Sequence, residues 1–160
     1  MNLILFRHGQ AEEFGTHMND SERELTAKGR DRLRRGAEGL KFMLRDYSAI
    51  KIWSSPLMRA CQTAQIIADV LNIEKVEQVD SLGTGDICAF QQKIVQLPYG
   101  ASLIAVGHAP YLGQWSKEIC GVSLSFGKGA AAVIDVNSTD PFTGELCWFA
   151  QPKVLSEFAR

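Results

Sequence analysis

The chain has 160 residues, a length that accommodates one domain with a complete hydrophobic core. Its 46% apolar and 22% charged content is ordinary for a globular protein. A formal net charge of -1 argues against nucleic acid as a partner, because such binding calls for a basic face.

In chain order, residues 2–7 read as a buried strand, carried by the apolar run Leu3-Ile4-Leu5-Phe6. Arg7 interrupts that run, which is too short for a membrane span or a signal peptide. A polar loop extends to about Leu25. A helix from Thr26 to Asp46 follows, with Leu33, Ala37, Leu40 and Leu44 on one apolar stripe. Its basic run, Lys28 to Arg35, is offset by Asp31, Glu22 and Glu24 and reads as a solvated face. Ile50 to Trp53 is a second strand. Ser55 as N-cap and Pro56 at the first helical position then open a helix that buries Leu57, Cys61, Ala64, Ala68 and Leu71. Val76–Val79 reads as a strand, and Asp86 caps a helix running to Gln96.

Leu103-Ile104-Ala105-Val106 is the central strand and ends in Gly107-His108. Pro110 opens a helix to about Cys120. Two final strands, Ala131–Val136 and Glu145–Phe149, are joined by a turn containing Asp140-Pro141 and Gly144. Trp115 and Phe126 are assigned to the core. The alternation predicts an α/β fold, a three-layer α/β/α sandwich with a mostly parallel sheet, and residues 1–160 as a single domain. The terminal pair is the place for an antiparallel edge. Cys61, Cys88, Cys120 and Cys147 lack metal-ligand or redox spacing, so buried free thiols are expected rather than a zinc site. Free thiols without an export signal point to the cytoplasm, with no membrane association.

Arg7-His8-Gly9 and Gly107-His108 both fall just past strand ends, where open α/β sheets bind ligands. Arg59 lies in the first turn of a helix, a place that favours anions. Two arginines and two histidines can thus meet one dianionic phosphoryl group: the guanidinium forks bind oxygens, and an imidazole can attack phosphorus. His17, in a polar loop, is read as a surface histidine.

Four segments occur in order: Leu5-Phe6-Arg7-His8-Gly9, Leu25-Thr26-Ala27-Lys28-Gly29, Ser54-Ser55-Pro56-Leu57-Met58-Arg59-Ala60-Cys61-Gln62-Thr63-Ala64 and Gly107-His108-Ala109-Pro110. Together they closely resemble the histidine phosphatase superfamily, the relatives of phosphoglycerate mutase. The resemblance implies that His8 is the nucleophile and forms a transient phosphohistidine. It implies that Arg7, Arg59 and His108, with Gly9 bordering them, hold the phosphoryl oxygens. No metal or other cofactor is implied. Ester-cleaving members carry an acid soon after the third strand; here Ser81 falls at about that place, flanked by Asp80 and Asp86. Asp80 is the candidate acid. A positioned acid contributes about 10²–10⁴-fold to alkoxide departure, whereas an imidazole leaves more easily. The short stretch between Arg59 and His108 leaves little room for a covering subdomain. With Arg23-Glu24-Leu25-Thr26 and Gly85-Asp86, it makes the SixA-type phosphohistidine phosphatases the nearest branch.

The leading expectation is therefore dephosphorylation of phosphohistidine on a signalling or phosphotransfer protein. A small-molecule phosphomonoesterase using Asp80 or Asp86, acting on a small phosphorylated metabolite, is the alternative. A phosphate-binding module without catalysis is the third reading.

Overall fold

The computed structural model describes residues 1–159. Strands β1 (Asn2–Arg7), β2 (Ile50–Ser54), β3 (Val76–Gln78), β4 (Ser102–Gly107), β5 (Ala131–Thr139) and β6 (Phe142–Ala150) form one sheet in the order β3-β2-β4-β1-β5-β6. The first four run parallel, and β5 and β6 add an antiparallel edge. β1 shows why its apolar run is continuous. Successive strand side chains point to opposite faces, and both faces here are covered. Ile4 and Phe6 join Leu33 and Leu40 of α1 (Ala27–Met43) and Ile67 of α2 (Met58–Leu71). Leu3 and Leu5 join the opposite core, with Leu82 of α3 (Ser81–Thr84), Phe90 of α4 (Ile87–Ile94) and Trp115 of α5 (Tyr111–Cys120). The expected three layers are present, and Trp115 and Phe126 are buried as expected.

Several elements differ from the sequence reading in ways that have physical causes. The second helix begins at Met58, not at Pro56, because the Ser55 hydroxyl accepts from the Leu57 amide and holds a non-helical turn. Its buried face runs through Ala60, Ala64, Ile67 and Ala68, while Leu57, Cys61 and Leu71 are only half-buried. Thr26 caps α1 through a bond from the Gly29 amide, and the helix ends at Met43 rather than Asp46. Gly144 lies inside β6 and not in the turn: a Cβ there would stand 2.6 Å from the Asp135 carbonyl oxygen. The thiols are all free, but none is fully buried as expected: Cys61 and Cys120 are half-buried, and Cys88 and Cys147 are exposed, on an outer helix face and an edge strand. The basic run of α1 is a solvated face, with Lys28, Arg32, Arg34 and Arg35 exposed.

Three short elements escaped the sequence reading: a 3-10 turn at Asp20–Glu22, α3 and the C-terminal α6 (Pro152–Glu157), which starts on a proline and seats Leu155 in the core. α6 lies close against α1 because Gly39 has no side chain; a Cβ there would come within 1.7 Å of the Leu155 carbonyl oxygen. Gly36, one turn earlier, faces open space. Alanine at the two positions should therefore act oppositely. Gly39→Ala is expected to cost about 1–3 kcal/mol through overpacking. Gly36→Ala is expected to gain about 0.5–1 kcal/mol from helix propensity. Urea unfolding of the two variants checks both signs.

Candidate active site

Three neighbouring strand ends build the site. Arg7 is in register with Gly107, and Ser54 with Val106. The pairing continues one residue past the strands: the His8 amide donates to the Gly107 carbonyl at 3.1 Å, and the Ser55 amide to the Val106 carbonyl at 2.9 Å. His8, Ser55 and His108 are thereby fixed side by side on the carboxyl edge of the sheet. Arg59 reaches the same place from the first turn of α2. Thr63 ties that helix to the strand end, since its hydroxyl donates to the Arg59 carbonyl at 2.7 Å and accepts from the Gly9 amide at 3.0 Å.

His8 and His108 are buried, with ring centroids 5.0 Å apart. The Nδ1 of His8 lies 2.7 Å from the Gly9 carbonyl oxygen. A carbonyl only accepts, so Nδ1 carries the proton and Nε2 keeps its lone pair. The Arg59 Nε–H points at that lone pair from 3.4 Å. Burial is the main cause that pushes the His8 pKa down to about 3; the Gly9 bond opposes it, and the charges of His108, Arg59 and Arg7 add to it. His108 is pushed down to about 4, again mainly by burial and then by Arg59, with Asp20 opposing. Both rings are neutral at neutral pH. Burial also lowers the pKa values of Arg7 and Arg59, but both guanidiniums stay charged.

The site contains donors without partners. Arg7 uses Nη1 on the Phe126 carbonyl at 2.7 Å, yet its buried Nε has no acceptor. His108 bonds the Ser55 hydroxyl through Nε2 at 2.7 Å, and its Nδ1 is buried and unpaired. The Ser55 oxygen accepts from the Leu57 amide and keeps its hydroxyl proton; in the tautomer in which that proton serves His108 Nε2, Nδ1 is an N–H donor. Buried donors without acceptors are costly, and a ligand with several oxygens relieves that cost. The charges facing this space are positive, apart from Asp20. Its carboxylate meets Arg59 Nη2 at 3.1 Å and Arg23 Nε at 2.7 Å. Desolvation tends to raise the Asp20 pKa, but these two arginines hold it below the ordinary range.

Arg7, His8, Gly9, Arg59 and His108 thus lie together at one end of the sheet. Asp80 does not join them by any hydrogen bond or ion pair among the described residues; it is exposed at the start of α3. Asp86 is exposed and accepts from the Ala89 amide as the cap of α4. Ser81 is buried, and its hydroxyl has no partner. His17 is half-buried and pairs with Glu12 outside the cluster. Ser55, Thr63 and Asp20 were not foreseen as site residues. Ser55 and Thr63 stand within the third motif, which was the available signal; Asp20 lies in a loop that gave none.

An open α/β sheet with neutral imidazoles between guanidiniums at its carboxyl edge defines a class: proteins that handle phosphoryl groups. The chain belongs to the histidine phosphatase superfamily (branch 1), whose model matches residues 3–123, and it is a phosphatase of the SixA-type branch. An uncharacterized protein of Picosynechococcus sp. is 33% identical over 123 residues, covering 74% of this chain and 73% of its own. The phosphohistidine phosphatase SixA of Escherichia coli is 27% identical over 157 residues, covering 95% and 94%. A structure of the protein histidine phosphatase SixA complexed with tungstate superposes with a TM-score of 0.83 at 27% identity, covering 96% of this chain and 98% of that one. Phosphoserine phosphatase from Entamoeba histolytica shares the fold at a TM-score of 0.68 and 18% identity, covering 96% and 98%. Among the described residues, no helix is long and apolar enough to cross a membrane.

The two depressed histidine pKa values set the sign of a pH effect. Below the ordinary value of 6.5 the unfolded chain binds protons at these sites and the folded chain does not, so stability falls as the pH drops towards about 4. The slope should reach up to about 1.4 kcal/mol per pH unit for each histidine. Urea unfolding across that range should show a flatter dependence in the His8→Gln/His108→Gln double variant; an unchanged slope contradicts the neutral, buried state of both rings.

Proposed function

We propose that this phosphatase removes the phosphoryl group from phosphohistidine on a carrier protein, through a covalent phosphohistidine at His8. The observation that carries the reading is the fixed tautomer of His8: Nδ1–H is held by the Gly9 carbonyl, and the Nε2 lone pair faces the Arg59 Nε–H at 3.4 Å. In the first step the Nε2 lone pair forms a bond to phosphorus while the substrate's P–N bond breaks. The leaving imidazole keeps that electron pair and departs neutral when its remote nitrogen is protonated. The His8 ring becomes cationic, and the Gly9 carbonyl stabilises its Nδ1–H. Arg7 Nε, the remaining Arg59 N–H groups and His108 Nδ1–H are the donors for the three equatorial oxygens. Water then attacks phosphorus, the bond to Nε2 breaks, and phosphate leaves with His8 restored.

Asp20, the carboxylate that meets the cluster, is held ionised between Arg59 and Arg23 and is no proton donor, and among the described residues neither Asp80 nor Asp86 bonds the cluster, which favours this substrate class over an alkyl ester. Ser81, at the position where ester-cleaving relatives carry an acid, offers a hydroxyl that is a far weaker proton donor. The residue that could reverse the choice is Asp80. With a histidine-phosphorylated carrier as substrate, Asp80→Asn should stay within about twofold of wild type, because a lost general acid costs about 10²–10⁴-fold. Efficient turnover of sugar or nucleotide phosphates that collapses in Asp80→Asn would instead establish the small-molecule phosphomonoesterase.

His8→Ala should lower phosphate release from the carrier by about 10³-fold or more, as expected for loss of a nucleophile. Release at the wild-type rate would remove His8 from that role. Phosphate binding without turnover would leave a binding module. Asp20 supplies another readout, since its carboxylate competes with any phosphoryl group for Arg59. The pair is partly exposed, so Asp20→Asn should tighten inorganic phosphate binding by only about two- to fivefold. Calorimetric titration with phosphate measures it.

A further inference from the structure

Gly36 sits inside α1, where glycine weakens a helix, and no neighbour requires it: a Cβ there would meet nothing within 4 Å. Gly29 and Gly39 are different, since the Gln10 and Leu155 carbonyl oxygens occupy the space a Cβ would need. The space beside Gly36 belongs to a cavity of about 450 Å³ bounded by α1, the start of α6 and the segment before β5. Arg32, Lys128 and Lys153 line it, and no aspartate or glutamate does. None of these cations forms an ion pair among the described residues, and Arg32 makes one long hydrogen bond, 3.4 Å to the Gln10 side-chain oxygen. In a chain of net charge -1, such a gathering is a local feature and not a consequence of composition. Leu33 and Pro152 give the cavity an apolar wall.

None of His8, Arg59 and His108 lines this cavity, yet it backs onto the same strand end. Gly9 forms part of its wall, and the Gly129 amide, also in the wall, lies 3.1 Å from the carbonyl oxygens of both Arg7 and His8. We infer that the cavity is a second, non-catalytic binding site for a small organic oligoanion of the nucleoside diphosphate class. The three cations face the phosphates, and the flat apolar part lies against Leu33 and Pro152 in the space that Gly36 leaves open. The volume is within the range of small-molecule sites, about 300–1,000 Å³, and a recess of this kind is not needed to dock a protein face. The site does not depend on the phosphohistidine reading.

Calorimetric titration with ADP tests it. Wild type should bind ADP saturably, and Arg59→Ala should retain that binding, because it removes the catalytic cation only. Gly36→Leu places an apolar side chain into the cavity from a position where the Cβ meets nothing within 4 Å, and Lys128→Ala/Lys153→Ala removes two exposed cations. Each should weaken ADP binding by about tenfold or more. Gly36→Leu should still hydrolyse a small phosphoramidate at the wild-type rate, and thermal unfolding confirms that both variants fold. No binding heat at millimolar ADP, or equal binding by wild type and Gly36→Leu, overturns the inference. So does a lysine variant that only slows turnover of a protein substrate, which would assign the cations to protein docking.

Discussion

The 2.7 Å contact between His8 Nδ1 and the Gly9 carbonyl oxygen is the interaction on which the chemistry of this protein depends. It is a bond between adjacent residues, and it works only because the backbone after β1 is held still. The His8 amide is tied to β4, the Gly9 amide to Thr63 of α2, and the Gly129 amide to the carbonyls of Arg7 and His8. With the carbonyl so fixed, the ring has one tautomer and one orientation, and its nucleophilic nitrogen faces the guanidiniums. Preorganisation of this kind removes the need to reorient groups when charge develops.

Burial does the second part of the work. A histidine among arginines could remain neutral through repulsion alone, but desolvation is the larger cause for both His8 and His108. The same burial leaves Arg7 Nε and His108 Nδ1 without a partner from the protein, and an oxyanion is the kind of group that satisfies such buried donors. Asp20 partly compensates, placing a carboxylate on Arg59 from a loop that is otherwise exposed. The catalytic edge is thus a positive, desolvated region that a phosphoryl group completes.

The parts of this arrangement legible in the sequence were those that follow from strand ends and short motifs. The apolar run before Arg7 and the one before Gly107-His108 located two of the three strand ends, and the Ser-Pro…Arg segment located the third. The continuous apolar run of β1 was readable as a buried strand because each face of the sheet has its own core. Other features depend on contacts distant in sequence, which no local pattern encodes. Ser55 looked like a helix cap, yet its hydroxyl bonds His108, 53 residues away. Gly144 looked like a turn residue, and its true constraint is the backbone of β5. α6 was missed because a six-residue helix has too little periodicity, although its seat against Gly39 is close. The exposure of Cys88 and Cys147 went against the usual burial of free thiols because one lies on an outer helix face and the other on an edge strand.

The central claim is that His8 Nε2 takes the phosphoryl group. The enzyme, labelled with ¹⁵N-histidine, can be mixed with a histidine-phosphorylated carrier, quenched in alkali, where phosphohistidine survives, and mapped by mass spectrometry and ³¹P–¹⁵N NMR. The account requires phosphorus on Nε2 of His8, absent from the His8→Ala variant. Phosphorus on Nδ1, phosphorus on His108, or phosphate release without any phosphoenzyme would contradict it.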